Sequence, residues 1–407
     1  MEQENSYRHL LRWGDRREET VSHHMAELIR EKFGLNDEDF TRKHLPGTDP
    51  VKLDKPPVLK PAQVEFLKKV CGEENVLTDD FSRARFSCGK FYGELLDLRM
   101  GFVPDPPDAV VAPRTHGEVV RIIEFCSEER IAVVPAGGLS SVTGAVRAPQ
   151  GGIALDLTRY LNRVIEINRV NKTVTVQAGM YGPALEAELN RQGYSCGHFP
   201  QSFEYSTVGG WISARGAGQA STGYGKIEDM VVALKAVTPA GIIETREYPR
   251  TAQGWDLFRV FAGAEGTLGV ITEATLHIFN YAPQNTASAS FIFRSFEAAV
   301  ETMRGIMQAE CGKPHLFRIS DPDETDIAFR TSGFVGTFAD RVLTMLGFRP
   351  GSRCLMFVTV EGERDYARFV MKKIRKKARA GKGMYIGTSP VRKWLEQRYS
   401  SAYMRDP

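Results

Sequence analysis

The chain has 407 residues, 42% apolar and a quarter charged, the balance of a soluble globular protein with room for two or three domains. A formal net charge of +3 is too small to argue for nucleic-acid binding, and no run approaches the roughly 20 apolar residues of a membrane span. The scattered cysteines (Cys71, Cys88, Cys126, Cys196, Cys311 and Cys354) exclude a disulfide framework or a zinc knuckle, and the charged N-terminus lacks the apolar core of a secretory signal, so a cytoplasmic protein is expected.

In chain order, residues 1 to about 60 read as helix and then loop. Glu18 to Phe33 carries helical spacing, and a proline- and lysine-rich connector runs from Leu45 to Pro61. A short helix is expected from Pro61 to Val70, and partial helix from Asp79 to Gly101. An α/β segment then begins. Ala109–Val111 reads as a strand, Thr115 and Glu118 form a capping-box pattern opening a helix from His116 to Glu128, and Ile131 to Val134 is the next strand. This β-α-β spacing predicts a parallel pair with a right-handed crossover. Ile153–Leu157, Val164–Ile167 and Thr173–Ala178 read as strands, the last two as a hairpin, followed by a helix from Gly182 to Gln192. Beyond Phe279 the texture becomes α+β: strands Ser290–Phe293, Leu316–Ile319 and Arg353–Val360, and helices Ser295–Glu310 and Arg364–Ala380. A domain boundary is expected near Tyr281.

Three segments are too rich in glycine to be ordinary core, because glycine buries no side chain and costs entropy to order. They are PAGGLSSVTGAV (Pro135 to Val146), the long stretch from His198 to Ile243 with Trp211 inside it, and GAEGTLGVITEATLHIF (Gly263 to Phe279). Successive amides in a tight glycine turn form a concave anion nest, and Gly137 and Gly138 admit a diphosphate without a Cβ clash, with Ser140 and Ser141 as further donors. The loop lacks the lysine of a GxxxxGK[ST] phosphate loop, and no GxGxxG opens a helix directly after a strand. Three such segments in this order point to a dinucleotide, FAD. No metal is expected: the histidines show no HExxH, and His23 and His24, adjacent in sequence, would splay apart on a helix.

These segments carry a resemblance. PAGGLSSVTG, QSFEYSTVGGW, SARGAG, YGKIEDMV and EGTLGVIT resemble the FAD-binding PCMH-type domain of the vanillyl-alcohol oxidase and para-cresol methylhydroxylase class. Within it, GHFPQSFEYSTVGGW, PRTAQGWDLFRVFAGAEGTLGVITEATLHI, FRISDPDET, Trp13 to Asp15 and the terminal AYMRD are most similar to the alkyldihydroxyacetonephosphate synthase family. The resemblance implies an α+β fold: a helical N-terminal region (1–104), a two-subdomain FAD-binding PCMH-type domain (105–281), and an incomplete, ferredoxin-like α+β cap that covers the isoalloxazine (282–407).

The resemblance also implies site residues. A first cofactor-binding segment is Pro135, Ala136, Gly137, Gly138, Leu139, Ser140 and Ser141. A second is Gln201, Ser202, Phe203, Glu204, Tyr205, Ser206 and Thr207, and a third is Ala214, Arg215, Gly216 and Ala217. The fourth is Glu265, Gly266, Thr267, Leu268, Gly269, Val270 and Ile271. Arg318 in FRISD matches a catalytic arginine, and Arg405 in AYMRD a substrate-binding one, whose planar fork suits a phosphate. FAD is expected to be noncovalent, since no histidine follows the first loop as in covalently flavinylated relatives. Glu228 and Asp229 read either as ribose or backbone partners or as structural caps.

The implied reaction exchanges the acyl group of acyl-dihydroxyacetone phosphate for a long-chain alcohol, redox-neutral overall, with the flavin as electrophile. The partners expected are therefore a lipid substrate, no nucleic acid, and a second copy in a homodimer when the cap is complete. The basic run from Lys372 to Lys382 reads as a solvated helix face, with membrane-surface contact as the alternative. Two departures stand out. The family loop usually reads G-G-G-[ST]-S, and Leu139 replaces its third glycine, so strain and weaker FAD affinity are expected if that position needs φ > 0. The chain also stops part-way through the family's cap, short of its catalytic tyrosine and histidine cluster, for which His9, His23 and His315 are not substitutes. Poor solubility or reduced flavin retention is expected in consequence. The alternatives are an FAD-linked 2-hydroxy-acid dehydrogenase acting on D-lactate or glycolate, and an inactive FAD-binding relative.

Overall fold

The computed structural model describes residues 5–11, 22–41, 47–248, 252 and 254–400. These fall into two compact units, one from residues 5–11, 47–218 and 225–279, the other from 22–41, 219–224 and 280–400. Trp13 to Asp15 and AYMRD lie outside the described residues.

In the first unit, strands β1 (Val76–Leu77), β2 (Ala109–Val111), β3 (Val133–Ala136) and β4 (Ile153–Asp156) form one sheet in the order β1-β2-β4-β3. The expected β-α-β unit is present, but β2 and β3 do not pair. Each pairs in parallel with β4, which lies between them. The completely buried strand β4 has the apolar surface to fill a central position, whereas β3 is only half-buried. The helix His116–Glu128 is capped by Thr115, whose hydroxyl accepts from the Glu118 amide. The reciprocal half of the capping box is displaced by one residue, since Glu118 Oε2 accepts from the Arg114 amide at 2.7 Å. Strand β3 lies two residues later than expected, so the chain enters the first glycine loop directly from the strand end.

The following strands are β5 (Val164–Asn168), β6 (Thr173–Gln177), the two-residue β7 (Tyr194–Ser195), β8 (Val231–Thr238), β9 (Gly241–Glu244) and β10 (Val270–His277). All but β7 form an antiparallel sheet in the order β5-β6-β10-β8-β9, and β5 and β6 make the expected hairpin. A short β11 (Phe279–Asn280) ends this stretch.

The second unit is a β-α-β-β-α-β arrangement. Strands β12 (Ala287–Phe293), β13 (Leu316–Ser320), β14 (Cys354–Val360) and β15 (Met384–Gly387) form an antiparallel sheet in the order β13-β14-β12-β15, the ferredoxin-like order. Alternation along the strands separates two cores. Phe291, Phe293, Met356 and Val358 pack against the helices Phe296–Met307 and Arg364–Ala380. Ile292, Leu355 and Phe357 face the other way, onto Val391 and Trp394 of the helix Ser389–Gln397. Ser295 caps its helix from outside, so that helix starts one residue later than expected. The helix expected from Glu18 is described from His23, with Ser22 as its cap. It packs in this unit, where Glu31 pairs with Arg330 at 2.5 Å. Among the described residues, no helix is long and apolar enough to cross a membrane.

Candidate functional site: a glycine-floored crevice in the first unit

A cavity of about 310 Å³ opens where the end of β3 meets the short helix Val208–Ser213 and the turn before β10, at the lower end of the range for small-molecule sites. All seven residues from Pro135 to Ser141 line it. Glycine is required there for steric reasons. A Cβ on Gly138 would fall inside 3.0 Å of the Tyr205 carbonyl, and one on Gly137 inside 3.0 Å of Thr207 Oγ1. The chain has thus been thinned where two loops cross beneath the crevice.

The loop's donors remain available. Among the described residues, the backbone N–H groups of Gly138, Leu139, Ser140, Ser141 and Val142 have no acceptor within the protein. Leu139 sits at φ +55°, the left-handed turn of a nest that gathers successive amides onto one anion. Ser141 accepts from the amides of Thr143 and Ala145, at 3.2 and 3.4 Å, and pairs with the Thr143 hydroxyl at 3.1 Å, so among the described residues only Ser140 of the two expected hydroxyl donors is uncommitted.

Behind the crevice, Thr207 caps the helix Val208–Ser213 by accepting from the Gly210 amide. Buried Trp211 donates from Nε1 to Ser206 Oγ at 2.6 Å, and Ser206 donates to the Ser202 carbonyl at 2.8 Å. His198 is fully buried, its ring 4.8 Å from that of Trp211, and among the described residues neither ring nitrogen has a hydrogen-bond partner. Burial pushes its imidazole down to about 4 against the weaker opposing pull of Glu228, so it is neutral near pH 7. Glu228 Oε1 pairs with Lys226 at 2.9 Å and with Arg215 at 3.2 Å. Burial alone would raise that carboxyl, but Lys226 and Arg215 outweigh it and hold the group below the usual range. Asp229 Oδ2 accepts from the Lys226 amide, a cap.

The expected cofactor residues divide. Ser202, Ser206, Thr207, Ala214, Gly216, Glu265, Gly266, Gly269 and Ile271 line the cavity. Gln201, Phe203, Glu204, Tyr205, Arg215, Ala217, Thr267, Leu268 and Val270 do not. Two of these support residues that do: Phe203 stacks behind Trp211, and the Tyr205 carbonyl lies against Gly138. Arg215 and Glu265, at φ +54° and +49°, join Leu139 as non-glycine residues in the left-handed region around this site. Leu157, Ala178, Pro200, Gly209 and Gly210 also line the cavity and were not among the expected residues. Gly209 and Gly210 lay within the recognised glycine stretch, whereas Leu157 and Ala178 look like strand-end core. Arg318 belongs to the second unit, where it pairs with Glu324 and lies 5.2 Å over the Trp394 ring. Arg405 lies outside the described residues.

A bare-amide nest on a floor that no Cβ could share suits the diphosphate of a flavin dinucleotide, and with the ferredoxin-like unit it defines a protein of the FAD-linked oxidase class. A family model described as FAD binding domain matches residues 107–246, and one described as FAD linked oxidases, C-terminal domain, matches residues 282–398. FAD is the cofactor these domains take. The chain is 32% identical over 406 residues to alkyldihydroxyacetonephosphate synthase of Trypanosoma brucei brucei, covering 94% of this chain and 64% of that protein. It is 33% identical over 366 residues to the Dictyostelium discoideum protein of the same name, covering 86% and 59%. A solved alkyldihydroxyacetonephosphate synthase structure superposes with a TM-score of 0.83 at 31% identity, over 94% of this chain and 71% of that one. The chain belongs to the alkyldihydroxyacetonephosphate synthase family. It spans about six tenths of the length of these curated relatives.

Proposed function

We propose that this chain takes part in an FAD-dependent exchange of the acyl group of acyl-dihydroxyacetone phosphate for a long-chain alcohol. The observation that carries the reading is the nest at Gly138–Val142, set in a chain whose relatedness to alkyldihydroxyacetonephosphate synthases extends through the second unit. Bound FAD supplies the electrophilic centre. The chain's own residues do the rest. The loop amides and the Ser140 hydroxyl take the diphosphate, and Thr207 and Gly209 shape the floor beneath it. Neutral His198 stiffens Trp211 behind the crevice without adding charge. Arg405 holds the substrate phosphate, and Arg318 serves as the catalytic arginine, which requires it to leave its Glu324 partner.

The test mixes FAD-loaded protein anaerobically with acyl-dihydroxyacetone phosphate and labelled hexadecanol. Label appearing in an alkyl product while the flavin stays oxidised is the expected result. Flavin bleaching by D-lactate or glycolate without any exchange would overturn the reading in favour of a dehydrogenase.

A further inference from the structure

The helix Arg364–Ala380 divides its two faces completely. Ala367, Val370, Met371, Ile374 and Ala378 form the buried stripe against the second unit's sheet. Between Arg364 and Lys382 the chain carries nine basic residues and one acidic residue, Asp365. All nine are exposed, and among the described residues none makes an ion pair. The chain as a whole has a formal charge of only +3, so this stretch, at +8, leaves the remainder at −5. The stretch is thus strongly positive in a chain that is otherwise mildly negative.

Helical geometry sets the layout. Arg368, Lys372, Lys376 and Arg379 fall in one row opposite the buried stripe, spanning about 16 Å at the usual rise. Phe369 lies on the same side, next to Arg368 at the N-terminal end of the row, 54% exposed, with Lys373 Nζ 5.2 Å from its ring; the acidic Asp365 lies on that side one turn earlier. Arg375 is turned aside, 4.6 Å over the Tyr385 ring and donating to its hydroxyl at 3.3 Å, while among the described residues the row itself makes no ion pair and has an exposed aromatic side chain beside it, where charge alone would suffice for solubility.

We propose that this face docks the protein on an anionic lipid bilayer. A row of cations with an exposed Phe at one end matches a planar headgroup layer: the cations meet lipid phosphates and carboxylates, and the ring enters the interface. The preference for a bilayer over another polyanion rests in part on the lipid substrate proposed above. The experiment is chosen to be independent of it, since vesicle binding is read without turnover.

The protein is titrated with phosphatidylcholine vesicles with and without phosphatidylserine and followed by co-sedimentation. Binding is expected only with phosphatidylserine, and should weaken steeply as salt shortens the screening length. With about 1 kcal/mol per cation near the surface, the exposed double variant Lys372→Gln/Lys376→Gln should bind about 30-fold more weakly while keeping its circular dichroism. Phe369→Ser should weaken binding at every salt concentration without changing the salt slope. Equal binding to both vesicle types, no binding to either, an unchanged double variant, or displacement by duplex DNA at equal phosphate would each overturn the proposal. Exchange activity on micellar substrate stands or falls separately.

Discussion

The main-chain carbonyl of Tyr205 occupies the space that a side chain on Gly138 would need; the two would lie inside 3.0 Å. The obstacle is backbone, which cannot rotate away. Gly138→Ala must therefore shift one of two loops that both line the crevice. Overpacking of this kind costs about 1–3 kcal/mol. FAD affinity, read by quenching of flavin fluorescence, should fall by roughly 10- to 100-fold at the same energy scale.

Leu139 tests a different balance. Its φ of +55° costs an L-residue about 1–2 kcal/mol. The side chain is half-buried against the cluster of Phe86, Val110, Ala136 and Ala154, which returns a comparable amount. Leu139→Gly relieves the strain but loses the packing and gives the unfolded chain more freedom, about 1 kcal/mol more. The variant should be less stable by about 1 kcal/mol on this balance, although it restores the family's usual loop. Calorimetry of both forms without cofactor checks this, and a higher Tm in the variant would contradict it.

Buried His198 makes stability depend on acidity. Its folded-state value is about 4 against an ordinary 6.5, so between those values the unfolded chain binds more protons than the folded one. Stability therefore rises with pH through this window, and is lost as pH falls from 6.5 towards 4. The full contribution is about 3 kcal/mol at the conversion of 1.36 kcal/mol per pH unit. Urea unfolding at pH 7 and pH 4.5 should show a smaller difference for His198→Leu than for the unaltered protein. The histidines His116 and His315, also lowered by burial, leave a residual slope in both.

Arg353 is fully buried in the second unit. It reaches Asp340 at 2.6 Å and Asp326 at 3.2 Å, and its guanidinium lies 4.5 Å over the Phe329 ring. Removing it strands Asp340, whose carboxyl is held below the ordinary range because the Arg353 bond outweighs burial. Arg353→Ala should cost about 3–5 kcal/mol. The double variant Arg353→Met/Asp340→Leu should recover part of that. Chemical denaturation of the two variants side by side checks the order.

The features legible in the sequence were those where geometry forces a residue type. Loops that cross this closely demand glycine, so Gly137 and Gly138 marked the crevice in the sequence. The helix cap at Thr115 was equally readable, because few side chains can reach an orphan amide. The place of β4 between β2 and β3 was not readable: pairing between distant strands leaves no local periodicity. Leu157 and Ala178 escaped for a related reason, since an apolar strand end looks the same whether it meets core or ligand. The Arg353–Asp340 pair is separated by thirteen residues and an intervening turn, which no single-helix spacing rule reaches.

The second unit is assembled from three separate stretches of chain, one of which, residues 219–224, is only six residues long. Within it, Tyr224 donates to Glu361 at 2.6 Å and packs edge-on to His315. No single proteolytic cut can therefore release this unit whole, and residues 280–407 expressed alone would lack Tyr224 and the helix that carries Glu31. The ribosome must deliver nearly all of the flavin unit before every stretch of the smaller unit is present.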